Sequence, residues 1–446
     1  MLSNPESRIP NPGLQAWLDY QQRVHPQSIA LGLDRVREVW NRLGAPRPAP
    51  IAIAVGGTNG KGSTVAFLEA MLRADGKRVG AYTSPHLLAY NERVRVDGID
   101  ADDARLVAAF ERIEAARGEI ALTYFEYGTL AALLVFAEAA LDVAVLEVGL
   151  GGRLDAVNLI DADAAIVTTI DLDHQDWLGG DRDSIGREKA GIFRAGRPAI
   201  VGEPAPPDGL LDEARRIGAD LRIAGRAFRV EIRDRDWIWI ADDARCVLPH
   251  PALAAACQHA NAAAAIAALH AVRARTGWNP EAIARGVASA RIAARIERFA
   301  GAPELIVDVA HNPQAARVLA GWLGTHPSQG RTIAVFGALA DKDVPAIVAA
   351  MKDVVDAWVI AGLARESSRG LAADSLSDRL RGTAARAEIA SRHDDVAPAL
   401  DAAFALADER DRVVAFGSFF VAAAALRFAA ARVREPLTRS GADSRV

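Results

Sequence analysis

Cysteine is scarce in this chain of 446 residues, which contains only Cys246 and Cys257. Two cysteines without metal-site spacing predict neither a disulfide-stabilised secreted domain nor a cysteine-based metal centre. No apolar run of about 18 residues is free of charges, so no membrane-spanning helix is expected. The segment Met1–Pro12 is polar and proline-rich and lacks the apolar core of a signal peptide. We therefore expect a cytoplasmic protein without a membrane partner.

Basic residues are not in excess, and lysine is the rarer of the two types. Lysine and arginine together number 52 against 57 acidic residues, which gives a net charge of −5 and no electrostatic support for nucleic-acid binding. Only five of the 52 are lysines, and Lys61, Lys189 and Lys342 each lie within a polar motif. Because a lysine can lose its proton and react, lysines retained in motifs are candidates for function.

A glycine-rich loop is the strongest single motif in the chain. Gly57–Ser63 follows the apolar run Ile51–Val55 and precedes a helix-like segment, Thr64–Leu72. A strand, a glycine turn and a helix N-terminus bind phosphate through backbone N–H groups, and Lys61 adds a positive charge. Gly62 stands where the common nucleotide loop has Ser or Thr, so the motif predicts nucleotide binding in an atypical form. A plain surface turn is the alternative interpretation.

Alternating β-branched and amphipathic segments predict an α/β fold. The first part should form a P-loop-type, doubly wound and mostly parallel sheet. Its predicted strands are Ile51–Val55, Arg78–Ser84, Asp142–Val148, Ala164–Ile170 and Arg197–Val201. The predicted helices are Asp102–Ala116, Tyr127–Ala140 and Asn261–Ala274.

A second series of strands predicts a smaller, Rossmann-like C-terminal domain. Its predicted strands are Leu305–Val309, Thr332–Phe336, Ala357–Ile360 and Val413–Phe416. We expect an ATP-binding domain over 1–291 with a small β excursion near 221–248. A linker over 292–303 and a C-terminal domain over 304–446 complete the predicted division.

Polar motifs follow several predicted strands, and ligands bind at the carboxyl ends of strands in such sheets. Glu147 ends an apolar run and is followed by three glycines, so its carboxylate needs a partner. Beside a phosphate loop that partner is predicted to be Mg²⁺, with an arginine ion pair as the alternative. His174, after the next strand, is as consistent with a metal ligand as with an ordinary loop residue.

Other motifs leave their roles open. Lys189 alone is typical of a helix surface, although a neutral lysine could capture CO₂ and become a metal-binding carbamate. The motif Asp308–Pro313 contains an acid, an imidazole and an amide, and predicts either a nucleotide contact or a proton-handling pair. The segments Asp341-Lys342-Asp343 and Gly417-Ser418-Phe419 are weak signals, typical of a solvated charge cluster and a small-residue turn.

Taken in order, the motifs resemble the folylpolyglutamate synthase/dihydrofolate synthase family of the Mur ligase superfamily, from about Leu18 to Ala424. The segments that carry the resemblance are 18–21, 57–63, 84–87, 91–93, 122–126, 147–155, 173–174, 188–192, 308–313, 341–343 and 417–419. The resemblance implies an ATP-dependent amide ligase. Such an enzyme phosphorylates a carboxylate and transfers the acyl group to the amino group of L-glutamate.

The resemblance also implies roles for individual residues. ATP contacts are implied for Asn59, Gly60, Lys61, Gly62, Ser63, Asn261, Arg295 and Asp308. Ligands for Mg²⁺, two ions in all, are implied for Ser84, Glu147, His174 and a Lys189 that carries a CO₂-derived carbamate. Catalytic roles are implied for Lys61, Lys189 and His311, and substrate contacts for Thr123, Tyr124, Phe125, Glu126, Arg153, Leu154, Asp155 and Ser418.

The segment 123–126 resembles the dihydropteroate-binding segment of bacterial bifunctional members. This implies dihydropteroate or folate, L-glutamate and ATP as small-molecule partners of a monomer whose domains close around the reactants. Three stretches depart from the family pattern: 292–295, Val157 and 364–370. The alternatives are a peptidoglycan-type Mur ligase, a nucleotide-driven switch or assembly ATPase, and a folate-binding pseudoenzyme.

Overall fold

The computed structural model describes residues 13–25, 30–381 and 388–432. The chain divides into two compact units, and both of them are discontinuous in sequence. The first unit comprises Met1–Pro249 and Asn261–Val287, and the second comprises His250–Ala260 and Ala288–Val446. Within the described residues, no helix has the length and apolar character needed to cross a membrane. The expectation of no signal peptide concerns residues 1–12, which lie outside the described ranges.

The first unit contains a mostly parallel sheet in the order β4-β3-β2-β5-β1-β6-β7-β8. Its strands are β1 (Ile51–Gly56), β2 (Val79–Tyr82), β3 (Val94–Val96), β4 (Ile99–Asp100), β5 (Val143–Glu147), β6 (Ala164–Val167), β7 (Pro198–Val201) and β8 (Asp220–Ile223). Among the described strands of this sheet, the pairs β2–β3 and β3–β4 are antiparallel, and the other pairs are parallel. All six residues of the central strand β1 are buried, as expected for a strand covered on both faces.

Helices cover this sheet and flank the loops at its edge. They are α1 (Leu14–Val24), α2 (Asp34–Arg42), α3 (Lys61–Ala74), α4 (Asp103–Arg117), α5 (Tyr124–Glu138), α6 (Gln175–Leu178), α7 (Arg182–Ala190), α8 (Asp208–Ile217), α9 (Gln258–Ala271), α10 (Arg273–Thr276) and α11 (Pro280–Ser289). The predicted α/β class with a doubly wound sheet is therefore confirmed.

A three-stranded antiparallel sheet extends the first unit. It consists of β9 (Phe228–Ile232), β10 (Trp237–Ala241) and β11 (Ala244–Leu248). Trp239 is fully buried, and its indole Nε1 donates a hydrogen bond to the Ala263 carbonyl oxygen at 3.2 Å. The excursion predicted near 221–248 therefore begins later than expected, because residues 220–223 pair with β7 as the last strand of the large sheet.

The second unit contains a six-stranded sheet in the order β12-β13-β17-β14-β15-β16. Its strands are β12 (Glu297–Phe299), β13 (Glu304–Val307), β14 (Thr332–Phe336), β15 (Ala357–Ala361), β16 (Glu388–His393) and β17 (Arg412–Phe416). Its helices are α12 (Pro313–Thr325), α13 (Val344–Met351), α14 (Ala373–Arg381), α15 (Val396–Leu406) and α16 (Phe419–Ala431). All strand pairs except β12–β13 are parallel.

The observed units differ from the predicted boundaries in two places. Residues 250–260 were expected in the first domain but belong to the second unit, where Ala255 packs in a core with Ile296 and Ile306. The predicted linker 292–303 contains β12, which pairs with β13 and so is part of the second sheet. Residues 433–446 of the predicted C-terminal domain lie outside the described ranges.

Candidate active site

The glycine loop joins β1 to α3 and has a backbone that only glycine adopts easily. Gly57 and Gly60 have φ angles of 139° and 87°, in the region that disfavours side chains. A Cβ on Gly57 would collide with the Thr168 hydroxyl, and one on Gly60 would collide with the side-chain oxygen of Asn261. Asn261, a predicted ATP contact, therefore lies directly against the loop.

Lys61 is the first residue of α3, and its side chain folds back over the loop. Its Nζ donates hydrogen bonds to the carbonyl oxygens of Gly57 and Thr58, each at 3.1 Å. The loop is tied to the segment after β6, since Thr58 N donates to Thr169 O at 2.8 Å. The first N–H groups of α3 and one ammonium are thus held in place before any anion binds.

Two predicted metal ligands meet at the ends of neighbouring strands. Ser84 follows β2, Glu147 ends β5, and β2 and β5 pair in parallel. The Ser84 N–H donates to Glu147 Oε2 at 3.1 Å, and Glu147 is only 4% exposed. His174 is placed elsewhere on the same edge, in the loop after β6 on the opposite side of β1, where its Nε2 lies 3.9 Å from Asp173 Oδ1.

Lys189 lies on α7 and is only 4% exposed. Burial and the nearby Lys61 ammonium lower its pKa to about 7, while the carboxylates of Asp173 and Asp155 oppose this change. A pKa in this range brings the neutral form of the amine within reach near neutral pH, and the neutral form is the nucleophilic one.

A second loop follows Glu147 at the end of β5, and it contains the predicted substrate residues 153–155. Asp155 accepts hydrogen bonds from Leu150 N and Val157 N at 2.8 and 2.9 Å, and burial raises its pKa to about 6. Arg153 pairs with Glu188 at 3.2 Å and with Glu213 at 2.9 Å. The Leu154 side chain is exposed. Arg153 and Asp155 thus hold the loop, and their substrate contacts stay predictions.

The predicted substrate segment 123–126 forms the N-terminus of α5. Thr123 Oγ1 accepts a hydrogen bond from Glu126 N at 3.2 Å, and the Glu126 carboxylate accepts one from Thr123 N at 2.8 Å. This capping box explains why the helix begins at Tyr124, three residues before the predicted start. Phe125 lies against the loop after Glu147, because a Cβ on Gly149 would be 2.6 Å from its ring.

In the second unit, the predicted residues gather at the carboxyl ends of β13 and β17. Asp308 accepts hydrogen bonds from Ile296 N at 2.8 Å and Ala310 N at 2.7 Å. Burial raises its pKa, and the Arg295 guanidinium opposes this effect.

Two more predicted residues of this unit, Arg295 and His311, lie against the ring of Phe419. The Arg295 guanidinium lies 5.7 Å above its centroid, and the His311 ring centroid is 5.9 Å from it. Ser418 Oγ accepts a hydrogen bond from Val421 N at 3.1 Å and so caps α16. The structure thus brings Arg295, Asp308 and His311 together, while Ser418 has a local capping role whether or not it binds a ligand.

Family models match both units. Residues 55–201 match the Mur ligase middle domain, and residues 294–419 match the glutamate ligase domain of Mur ligases. The dihydrofolate synthase/folylpolyglutamate synthase of Escherichia coli strain K12 is 48% identical over 410 residues, covering 92% of this chain and 94% of that protein. The chain belongs to the dihydrofolate synthase/folylpolyglutamate synthase family. The predicted family and enzyme class are confirmed.

Other members of the dihydrofolate synthase/folylpolyglutamate synthase family extend the comparison. The Mycobacterium tuberculosis protein of that name is 34% identical over 368 residues, covering 76% of each chain. A structure of E. coli FolC in complex with DHPP and ADP superposes with a TM-score of 0.88 at 47% identity, covering 95% of this chain and 99% of that chain. A bifunctional family member with Mn, AMPPNP and L-glutamate bound has a TM-score of 0.85 at 44% identity, covering 95% and 98%.

Sequence reasoning gave no role to two residues that the structure places at this edge. Thr168 Oγ1 donates to the Asn59 carbonyl oxygen at 2.6 Å and so anchors the phosphate loop. In the sequence, the only indication of this role is that Thr168 and Thr169 directly follow an apolar run. Arg93, noted only within a family motif, is buried at 8% exposure. The sequence around Arg93 offered no such signal, because the burial of this arginine depends on its packing against Tyr124 of α5.

Proposed function

We propose that this protein catalyses the ATP-dependent addition of L-glutamate to dihydropteroate, forming dihydrofolate, and to folates. The observation that carries the proposal is the position of the buried amine of Lys189 beside Lys61 of the phosphate loop, on a scaffold of this ligase family. A nucleotide switch or an assembly ATPase needs the loop but has no use for a buried reactive amine at that position.

The proposed reaction has two covalent steps. An oxygen of the acceptor carboxylate attacks the γ-phosphorus of ATP, and the bond from that phosphorus to the ADP oxygen breaks. The glutamate amino group then attacks the acyl carbon, phosphate leaves, and the nitrogen loses a proton. Lys61 and the N–H groups of residues 59–63 would hold the transferred phosphoryl group, and Asn261 would support the loop from the side.

Ser84 and Glu147 fit a divalent cation. A hydroxyl-bearing residue and a buried carboxylate meet there beside the phosphate loop, and oxygen donors are what Mg²⁺ prefers. We assign Ser84, Glu147, His174 and carbamylated Lys189 as ligands of two ions. Bound Mg²⁺ would neutralise phosphate charge. In the described ranges no three His, Cys, Asp or Glu side chains form a complete site, so phosphate and water oxygens would complete the coordination.

The carbamate on Lys189 would form without an enzyme. The neutral Nζ would attack the carbon of CO₂, one N–C bond would form as one C=O π bond opens and its electron pair moves to that oxygen, and one proton would leave the nitrogen for water. Burial and the neighbouring Lys61 charge support this proposal, because both favour the neutral amine. The product is a carboxylate on a long stem, which would convert a cation that repels metal into a ligand.

The second unit contributes further proposed contacts. We assign Arg295 and Asp308 to the nucleotide, and His311 and Ser418 to glutamate or the γ-phosphate. Their support is that Arg295 and His311 both lie against the Phe419 ring and that both affect the charge of Asp308, at the carboxyl ends of β13 and β17, where α/β sheets bind ligands. The monomeric state and the cytoplasmic location stay predictions, which analytical ultracentrifugation and cell fractionation would test.

Phosphate release from ATP tests the proposed function. It should depend on L-glutamate and on dihydropteroate or tetrahydrofolate, with Mg²⁺ present. Glu147→Gln should abolish turnover, whereas Glu231→Gln, which changes an exposed carboxylate on β9, should not. Turnover only with a muramyl peptide acceptor would contradict the proposal, and so would ATP hydrolysis that is indifferent to every acceptor.

A further inference from the structure

Arg93 is a buried arginine next to two segments of the candidate site. It ends the short 3₁₀ turn Tyr90–Arg93, and its Nε donates a hydrogen bond to His86 Nδ1 at 2.9 Å. Its guanidinium lies 5.3 Å above the centroid of the Tyr90 ring and 5.5 Å above that of Tyr124. Arg93 therefore touches the segment that follows Ser84 and the first residue of α5.

The charge of Arg93 has no counter-ion among the residues that the structure describes. Among residues 13–25, 30–381 and 388–432, no carboxylate oxygen lies within 4.0 Å of its guanidinium. The adjacent acid, Glu92, is already occupied, because its carboxylate accepts hydrogen bonds from the backbone N–H groups of residues 87–89 at 2.7–2.8 Å. Tyrosine rings offset part of the cost of burying a cation, but a carboxylate offsets far more.

Arg95, two residues further along the chain, has its charge compensated by a carboxylate. Its guanidinium pairs with Glu69, with Nη2 at 2.9 Å and Nε at 3.1 Å from Glu69 Oε2. Arg93 and Arg95 therefore differ in charge compensation although they lie two residues apart. Arg93 retains hydrogen-bond donors on its terminal nitrogens for which no acceptor exists among the described residues. A planar guanidinium of this kind suits a carboxylate in bidentate geometry.

The two proposed acceptors differ in the number of carboxylates they offer. Dihydropteroate has one carboxylate, and that group must lie at the phosphoryl group in order to react. A folate has a second carboxylate, the α-carboxylate of its terminal glutamyl residue, close to the γ-carboxylate that reacts. Only the folate can therefore place a carboxylate on Arg93 while its other carboxylate lies at the phosphoryl group.

We propose that Arg93 binds the α-carboxylate of the terminal glutamyl residue of folate acceptors, and thereby sets the preference between the two acceptors. The inference rests on the proposed function, since it requires that both acceptors are used. His86 holds the guanidinium from one side and the two tyrosine rings hold it from below. Arg93 is thus positioned before the substrate arrives, and little side-chain entropy is lost on binding.

The test compares kcat/KM for tetrahydrofolate and dihydropteroate in the wild type, Arg93→Gln and Arg93→Lys. Arg93→Gln should lower the tetrahydrofolate-to-dihydropteroate ratio of kcat/KM by about 10- to 100-fold, mainly through KM for tetrahydrofolate. Arg93→Lys should recover part of the ratio. Arg95→Gln, the matched control, should lower the unfolding temperature and leave the ratio unchanged.

A substrate analogue makes the test independent of the variants. Replacing the α-carboxylate of tetrahydrofolate by an amide should weaken binding to the wild type by a similar factor, with no further loss in Arg93→Gln. Equal losses with both acceptors, or no loss with either, would overturn the inference. A wild type that turns over neither acceptor would instead contradict the proposed function itself.

Discussion

Lys189 is a primary amine that the fold has removed from water and placed beside a second cation. Both effects lower its pKa, from an ordinary 10.5 to about 7. Because the pKa of Lys189 is lowered, its neutral, nucleophilic amine becomes populated as the pH rises through about 7. An arginine at this position could not become neutral.

At the residue scale, we predict that activity depends on CO₂ through Lys189. Protein depleted of CO₂ should lose turnover and regain it when CO₂ is restored, and at equal dissolved CO₂ the recovery should be faster at pH 8 than at pH 6 because more of the amine is neutral. Lys189→Arg should lower turnover more than about 100-fold, with partial recovery on addition of short carboxylates.

The control for this prediction is Lys352→Arg, which changes an exposed lysine. It should behave as the wild type in the same bicarbonate titration. Carbon-13 NMR with labelled bicarbonate should detect a carbamate signal in the wild type and in the control, but not in Lys189→Arg. Full activity of Lys189→Arg would remove the carbamate from the reaction.

At the scale of one element, the residues that cap the N-terminus of α5 also belong to the predicted substrate segment 123–126. Thr123 and Glu126 satisfy each other's backbone N–H groups, and the Arg35 guanidinium pairs with Glu126 at 2.8 Å. The same capping fixes where Tyr124 and Phe125 emerge at the sheet edge. A predicted substrate contact can therefore act by holding the helix end, without touching substrate.

Thr123→Ala should cost about 1 kcal/mol of unfolding free energy, since the capping hydrogen bond to Glu126 N is lost. Thr123→Ser keeps the hydroxyl and should retain most of the stability. Asp102→Ala removes the equivalent cap of α4, where Asp102 accepts a hydrogen bond from Arg105 N at 2.8 Å. Urea unfolding and acceptor KM values should be measured for all three variants.

The two capping variants separate the roles of Thr123. Both alanine variants should lose similar stability, but only Thr123→Ala should raise KM for the acceptor. If KM stays at the wild-type value in Thr123→Ala, the residue is a helix cap and its assignment to the substrate is withdrawn.

At the scale of the whole molecule, each unit has its own parallel sheet and its own group of polar residues at strand ends. The first unit carries the phosphate loop, and the second carries Asp308. A ligand that binds at either group would stabilise the native state relative to the unfolded chain, because the unfolded chain cannot hold the binding groups together.

A non-hydrolysable ATP analogue with Mg²⁺, at 100 times its Kd, should raise the unfolding free energy by about 2.7 kcal/mol. Chelation of the metal should reduce this gain. Gly60→Ala should abolish it, because the added Cβ would collide with Asn261 and strain the loop at φ 87°. Gly321→Ala, where an added Cβ meets nothing within 4 Å, is the matched control. An undiminished gain in Gly60→Ala would show that the nucleotide does not use the loop.

Strand cores could be predicted from β-branched runs, whereas element ends could not. The predicted strand Arg78–Ser84 is in fact Val79–Tyr82, because the chain leaves the sheet before Ser84 reaches Glu147. The helix α5 starts early because Thr123 and Glu126 cap each other's backbone N–H groups, and hydrophobic periodicity does not reveal such a cap. The second sheet gained β12 from the predicted linker, since three residues are too few for a pattern.

The amino-acid sequence by itself determined the α/β class, the phosphate loop and the family, because these depend on local periodicity and on the order of short motifs. Only the tertiary structure decided that Lys189 is buried near Lys61, that Arg153 pairs with Glu213, and that Arg93 lacks a carboxylate partner among the described residues. Charge compensation depends on which side chains distant parts of the chain bring within a few ångströms. Those distances cannot be predicted from the spacing of residues along the sequence.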